Sequence, residues 1–341
     1  MATSVPDYDN LPQVEGMPQG CAWGVFDRDG EKDVLGTLNF ITPNVIRDAA
    51  QEVKDGVSIS LNWSLNALAK IPLGRKVAEH TPLFLPDTMP SEHLGGAISW
   101  DDELAFNTQA SSQWDSLCHF VHQPTGLGYN GSRPTREGLA VESTAANKLP
   151  TLDHWHARGC LTTRGVLLDF RAYAEAKGLD FHPFGGNRIT VEDMEACAAH
   201  QGVEFRPGDV LLVRTGATEV VDNPTQEDMM KFASAQLSGL HGVEETAKWI
   251  WNKRFSAVAS DSASFEAFPP LKPDGTAGNT ADLVLHTYLL AFFGMSIGEF
   301  WDLSKLSAYA QKTKRYSFLI TSAPLNQPGL VGSPPNALAI F

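Results

Sequence analysis

From Gly165 to Pro324 the chain alternates short apolar runs with capped, amphipathic stretches. That alternation restricts the fold to an α/β or α+β architecture in which strands are layered with helices. "GVLLDF" (Gly165 to Phe170) reads as a buried strand, and "RAYAEAKG" as the short helix after it, ending at Gly178. "TVEDMEACAAH" opens with Thr190 and has Asp193 three residues on, a reciprocal cap that starts a helix. "RPGDVLLVRTG" is a Pro-Gly turn feeding a strand over Val210 to Arg214. In "GVEETAKWIWNKR" the residues Val243, Ala247, Ile250 and Trp251 share one helical face, and "FSAVASD" is a strand running into Asp261. "ADLVLHTYLLAFFG" is a helix stopped at Gly294, "MSIGEF" a short strand or turn, "DLSKLSAYAQK" a helix and "YSFLITSAP" a last strand.

Upstream, "GVSISLNWSL" alternates Val57, Ile59, Leu61 and Trp63 with polar residues, the period of a half-buried strand. Ile71 to Ser99 has prolines, glycines and two histidines without periodicity, which predicts a long loop with His80 and His93 exposed. A chain of 341 residues can bury a sizeable core. With no repeat and no low-complexity linker, one domain over residues 21–341 is expected. Residues 1–20, polar and rich in Pro and Gly, read as an extended arm that packs on the body or on a neighbouring subunit.

Charge narrows the partners. A formal net charge of −14 argues against nucleic acid and against anionic membrane, both of which require clustered Lys and Arg. The first residues lack a basic patch and an apolar core, and no window approaches the roughly 18 apolar residues of a membrane span. A cytoplasmic protein is the default. Cys21, Cys118, Cys160 and Cys197 have no paired spacing, so free thiols are expected rather than a zinc knuckle or redox motif.

The polar stretch "TQASSQWDSLCHFVHQ" (Thr108 to Gln123) is the candidate site. If extended from Gln109, it projects Gln109, Ser111, Gln113 and Asp115 to one side, with His119 on the same parity. Two amides, a carboxylate and an imidazole can hold a metal or a polar substrate. The same spacing also describes a solvated edge strand.

This stretch resembles the signature of the cyclase family, which includes bacterial kynurenine formamidases and isatin hydrolases, written H-x-G-T-H-x-D-x-P-x-H. Asp115 and His119 stand at the aspartate and the last histidine. Gln109 and Gln113 replace the first two histidines, Ser111 and Ser112 replace Gly-Thr, and Leu117 replaces the proline. "LHTYLLAFFGMSIGEFWDLSKL" resembles the family's distal segment, with His286 and Glu299 at its histidine and glutamate. "FSAVASDSASFE" resembles the strand before it, and "GVLLD" and "GDVLLVRTG" the central strands. "SSQWDSLCHF", "YNG", "LHG" and "SAPLNQPGLVGSPPNALAIF" are similar to a longer bacterial and fungal subgroup in which glutamine takes the second histidine's place.

The resemblance implies a single α/β domain of swivelling β/β/α-like type, with a mixed sheet and flanking helices, assembled as a homo-oligomer (dimer or tetramer). It implies a metal-dependent hydrolase that opens an amide, lactam, lactone or related carbonyl bond of a small molecule. Asp115, His286 and Glu299 are then metal ligands, Gln113 a fourth, and His119 the acid/base. Amide oxygens are poor zinc ligands, so this set suits one divalent ion, Mn, Mg or weakly held Zn. A two-metal centre is not expected once Gln109 and Gln113 replace imidazoles.

Other residues carry two readings each. Trp114, with Phe292, Phe293, Phe300 and Trp301, either walls a substrate pocket or packs the core. Asn39 in "GTLNF" lies in a segment similar to the family's substrate-proximal one, or is ordinary turn chemistry. His241, between glycines in "GLHG", is a substrate contact if its loop approaches the site. His122 is structural or substrate-facing. Asp261 and Glu266 follow a strand end, where they orient ligands, and helix capping accounts for Asp261 equally well. Two rival functions stay open: a metal-free lyase or cyclase of secondary metabolism in the same pocket, and a non-catalytic small-molecule binding protein.

Overall fold

The computed structural model describes residues 5–70 and 74–341. In chain order its strands are β1 (Ser58–Ser60), β2 (Glu79–Phe84), β3 (Trp100–Ala105), β4 (Gln113–Asp115), β5 (Leu161–Asp169), β6 (Arg188–Ile189) and β7 (Val210–Arg214). There follow β8 (Gly239–Leu240), β9 (Ala257–Ser260), β10 (Ile297–Glu299), β11 (Ser317–Ser322), β12 (Gly332–Ser333) and β13 (Ala337–Ile340).

Nine of them form one sheet, ordered β1-β13-β11-β5-β7-β9-β10-β4-β12. The central run β5-β7-β9-β10 is parallel, and every other pairing is antiparallel. The sheet is therefore mixed. Its central strands carry unbroken apolar runs, Val166–Leu168 and Val210–Val213, because both of their faces are covered. Val166, Leu168, Leu211, Val213 and Val258 enter one core layer, with the helices Phe170–Lys177, Val191–Gln201 and Glu244–Asn252 and the segment Val284–Phe293. Leu167, Val210, Leu212, Ala257 and Ala259 enter the opposite layer, with the helix Ser304–Thr313 and Trp114, Trp155 and Trp301. Burying one such aliphatic side chain contributes roughly 1.5–3 kcal/mol, so alternation along three neighbouring strands fixes which residues face which way.

The helix starts and stops follow the sequence signals. Thr190 and Asp193 cap one another at the helix Val191–Gln201, and Gly178 ends the helix Phe170–Lys177 at φ 66°. Val284 to Phe293 departs from the expected form: it begins as an α-helix and continues from Thr287 as a π-helix before Gly294, at φ 69°, stops it. The expected strand around Ile59 pairs over only three residues, although Leu61 and Trp63 are buried beyond it.

The loop expected over residues 71–99 is in part a hairpin. Residues 71–73 lie outside the described residues, and β2 pairs along its length with β3. Both strands are almost wholly exposed, so no buried face imposed an alternating pattern on the sequence. His80 and His93 are exposed as expected. β13 also gave little signal, because its inward residues, Ala337 and Ala339, are small and follow a Pro-rich lead.

Of the terminal segment, residues 5–9 lie against the helix Glu244–Asn252 and the turn after it, in the same chain. Tyr8 is 2% exposed; its N–H donates to Asn252 Oδ1 at 2.8 Å and its hydroxyl to Glu244 Oε1 at 2.9 Å. The four cysteines are free thiols, three of them buried. Among the described residues no helix is long and apolar enough to cross a membrane.

Candidate metal centre and its cavity

The antiparallel register of β4 and β10 sets Gln113 opposite Glu299 and Asp115 opposite Ile297. Alternation then turns Gln113, Asp115 and Glu299 to one face of the sheet. His286 reaches the same place from the start of the segment Val284–Phe293. Asp115, His286 and Glu299 are buried, and one ligand atom from each lies within 4.8 Å of the others.

Glu266 sets the orientation of His286. One carboxylate oxygen accepts the backbone N–H of His286 at 2.9 Å and faces its ring Nδ1 at 3.0 Å; the other accepts the N–H of Val284 at 3.0 Å. Glu266 thereby caps the first turn of the helix and holds a proton on Nδ1, which leaves Nε2 as the ligand atom. The backbone is strained beside both carboxylates of this arrangement. Phe265 and Phe300, adjacent to Glu266 and Glu299, take left-handed φ values of 55° and 54°, unusual for bulky side chains.

Electrostatics point to a missing positive charge. Asp115 Oδ2 and Glu299 Oε1 are buried with no donor, and Glu299 Oε1 sits 3.3 Å from His286 Nε2, out of line for a hydrogen bond. An unsatisfied buried acceptor costs about 1–3 kcal/mol, more when charged. Burial, and after it the Glu299 charge, push the Asp115 carboxyl well above the usual carboxylate range. Burial acts to lower the His286 imidazolium, but the neighbouring Glu266 and Glu299 carboxylates outweigh it and raise that group to about 10. One imidazole and two carboxylates with orphaned oxygens fit a divalent cation, of the harder kind.

The two glutamines act as donors. Gln113 Nε2 donates to Glu299 Oε2 at 2.7 Å and approaches Asp115 Oδ1 at 3.4 Å, while its Oε1 accepts from Arg75 Nη1 at 3.1 Å. Turning the amide over would set an oxygen against two carboxylates, so in this arrangement Gln113 bridges Arg75 to the acidic pair. Gln109 Nε2 donates to Asp115 Oδ1 at 2.8 Å and lies 2.9 Å from His119 Nδ1. This network assigns the His119 proton to Nε2. Burial first, then the charges of His286 and Arg75, lower the His119 imidazolium to about 3, so the ring is neutral.

Of these groups His119, His286 and Glu299 reach one pole of a cavity of about 270 Å³. Arg75, His119, His286 and Glu299 line that pole, and Phe120, Leu237, Phe268, Leu283 and Phe300 supply an apolar wall. Such a volume suits a small ring-sized molecule and falls just under the range for drug-sized ligands.

Residues 40–267, more than half of the chain, match the family model named Cyclase. The chain belongs to the Cyclase family. A crystal structure described as a novel cyclase superposes with a TM-score of 0.76 at 28% identity, covering 94% of this chain and 99% of the other. Isatin hydrolase A from Labrenzia aggregata, bound to benzyl benzoate, superposes at 0.54 with 14% identity over 85% of this chain and 94% of its own. An isatin hydrolase bound to the product analogue thioisatinate gives 0.54 at 14% identity over 88% and 99%. No curated protein sequence matches the chain.

In this Cyclase-family chain several expected site residues lie elsewhere. Trp114 is 0% exposed, because the parity that turns Gln113 and Asp115 toward Glu299 turns Trp114 into the opposite core. There it packs 4.8 Å from Trp301 and 5.4 Å from Trp155 and donates to Ser322 Oγ. Asn39 spends its amide on Asp33 Oδ1 and Gly36 O, within its own turn. His241 is half-buried and lines none of this cavity, although the adjacent Gly242 packs against Glu266. Ser111 bonds away from the cluster, to Ser64 O. His122 closes a turn with Thr125. Asp261 accepts from Thr215 and Gly216, just ahead of the helix Ala217–Asp222, and burial raises its carboxyl to about 6. Of the aromatic group, Phe300 lines the cavity and Phe292, Phe293 and Trp301 are core. Arg75, Phe120 and Phe268 have no counterpart in the sequence expectations; they sit in irregular segments with no periodic signal.

Proposed function

We propose that this Cyclase-family chain is a metal-dependent hydrolase that opens an amide, lactam, lactone or related carbonyl bond of a small molecule. The observation that carries this reading is the convergence of Asp115, His286 and Glu299, two of whose carboxylate oxygens, Asp115 Oδ2 and Glu299 Oε1, are buried and orphaned, beside a cavity that His286 and Glu299 line. Those three side chains would hold the ion, of which Mn, Mg and Zn are the candidates. When bound there, a divalent ion supplies Lewis acidity toward a carbonyl and a water of lowered pKa.

The chain's own residues supply the rest. Glu266 keeps His286 in the tautomer that offers Nε2. Gln113 keeps the two carboxylates apart while bonding to both. His119 is neutral with its proton on Nε2, a hydrogen-bond donor for the leaving atom. It accepts a proton there only after the Gln109 amide turns its oxygen toward Nδ1. Isatin hydrolases build on the same fold, which supports the lactam end of the substrate range.

A second reading has its own observation. With His286 raised to about 10, the imidazolium, Glu266 and Glu299 form a cluster that balances part of its own charge, as a metal-free lyase or cyclase would need. It leaves Asp115 Oδ2 without a donor. Metal content of protein purified without chelator separates the two. The hydrolase reading expects roughly one equivalent of divalent metal. It also expects turnover in a panel of lactams, formamides and lactones that is lost on chelation and restored by Mn, Mg or Zn. Metal below a tenth of an equivalent, with no activity gained on refilling, sinks it. The reading includes a homo-oligomer, supported by exposed Ile98, Trp100 and Leu104 around the hairpin and tested by light scattering.

A further inference from the structure

Arg75 is the one Lys or Arg among the described residues that line the cavity. It sits at the root of the β2–β3 hairpin, where Asn107 N–H donates to Lys76 O at 3.0 Å. Its Nη1 donates to Gln109 O at 2.6 Å and Gln113 Oε1 at 3.1 Å. Both acceptors are neutral: they hold the guanidinium in place and leave its charge intact. Among the described residues no carboxylate pairs with it, and its Nε and Nη2 have no acceptor. Gln113 stands between it and the acidic cluster, taking one hydrogen bond from the guanidinium and giving another to Glu299.

A guanidinium held by two hydrogen bonds at a cavity wall, with donors to spare and no carboxylate in direct contact, although its charge reaches Asp115 at longer range, matches the planar, two-oxygen geometry of a carboxylate. We propose that Arg75 is the anion-binding residue of this cavity and that the ligand class it receives is a small aromatic carboxylate. The ring lies against Phe120, Phe268 and Phe300, and the carboxylate meets Arg75.

The inference rests on the hydrolase reading only for the source of that anion. Water adds to the acyl carbon, the bond to nitrogen or oxygen breaks with a proton delivered to the leaving atom, and the acid formed ionises at neutral pH. A cavity that held an uncharged carbonyl compound then holds an anion. Arg75 is the cation placed to meet it.

The test is calorimetric titration of the protein as purified with benzoate and with its uncharged analogue benzamide, for wild type, R75Q and R75K. A parallel arm uses chelator-treated protein, and thermal melts check folding. The expected result is benzoate binding weakened roughly ten- to a hundredfold in R75Q, partly restored in R75K, with benzamide within about twofold of wild type throughout. Equal loss of both ligands in R75Q, unchanged benzoate affinity, or no benzoate binding to wild type at millimolar concentration overturns the proposal. So does benzoate binding that chelation removes and R75Q does not, since the carboxylate is then held by metal. If R75Q misfolds, R75K decides: unchanged benzoate affinity with the fork geometry lost overturns the proposal, and selective weakening supports it. Protein that binds benzoate through Arg75 but takes up no metal and turns nothing over defeats the hydrolase reading alone. A working metal hydrolase whose benzoate binding ignores Arg75 defeats this inference alone.

Discussion

His119 is neutral because its surroundings refuse a second proton: it is buried, and His286 and Arg75 lie close by. The unfolded chain has no such refusal and takes up that proton below about pH 6.5. A group lowered to about 3 in the native state gives stability that is complete above pH 6.5 and is lost as the pH falls toward 3. Between pH 7 and pH 5 that loss is about 2 kcal/mol. Urea unfolding of chelator-treated wild type and H119N should therefore show their stability difference shrinking by about that amount over this interval. A difference that stays flat would mean that His119 titrates normally and that the Gln109 contact does not hold it neutral.

At the scale of elements the site depends on how closely β10 approaches β9. Gly298, between Ile297 and Glu299, leaves no room for a side chain: a Cβ there would fall 2.6 Å from Ala259 Cβ and 2.7 Å from Trp301 Nε1. G298A should cost about 1–3 kcal/mol by overpacking, read as a lower urea midpoint at unchanged slope. It should also weaken metal uptake, because Glu299 is the next residue. Unchanged stability would show that the strand can shift without cost.

Elements that bury a face were legible beforehand. The helix Glu244–Asn252 buries Ala247, Ile250 and Trp251 as its spacing required, and the strand Val210–Arg214 has the bounds its Pro-Gly turn implied. The hairpin was not legible, since β2 and β3 bury neither face and a sequence pattern records burial. Among site residues, Asp115, His286 and Glu299 do converge, as the family resemblance implied. Arg75 could not be read: it meets Gln113 across 38 positions, through a segment whose course no periodicity marks. Nor could the donor role of Gln113, which depends on which end of an amide faces a carboxylate.

For the molecule as a whole, the three candidate ligands come from β4, from β10 and from the helix that precedes β10, so only the assembled sheet brings them together. An ion that binds the native chain and not the unfolded one stabilises the fold by mass action, by about 2.7 kcal/mol at a hundred times its dissociation constant. Calorimetric melts with added Mn, Mg or Zn should rise for wild type and stay in place for E299Q. A shift of equal size in E299Q would place the ion elsewhere.

Trp114 gains a different meaning from this arrangement. Its ring is anchored between Trp155 and Trp301 and bonded to Ser322. If β4 slipped by one residue against β10, this large apolar side chain would swing into the polar pole and Asp115 into a cage of indoles. The tryptophan thus acts as a keel, keeping the strand upright so that the acid on its other side stays where it is needed. Replacing it would abolish chemistry in which it takes no part, and an activity screen alone would mistake ballast for machinery.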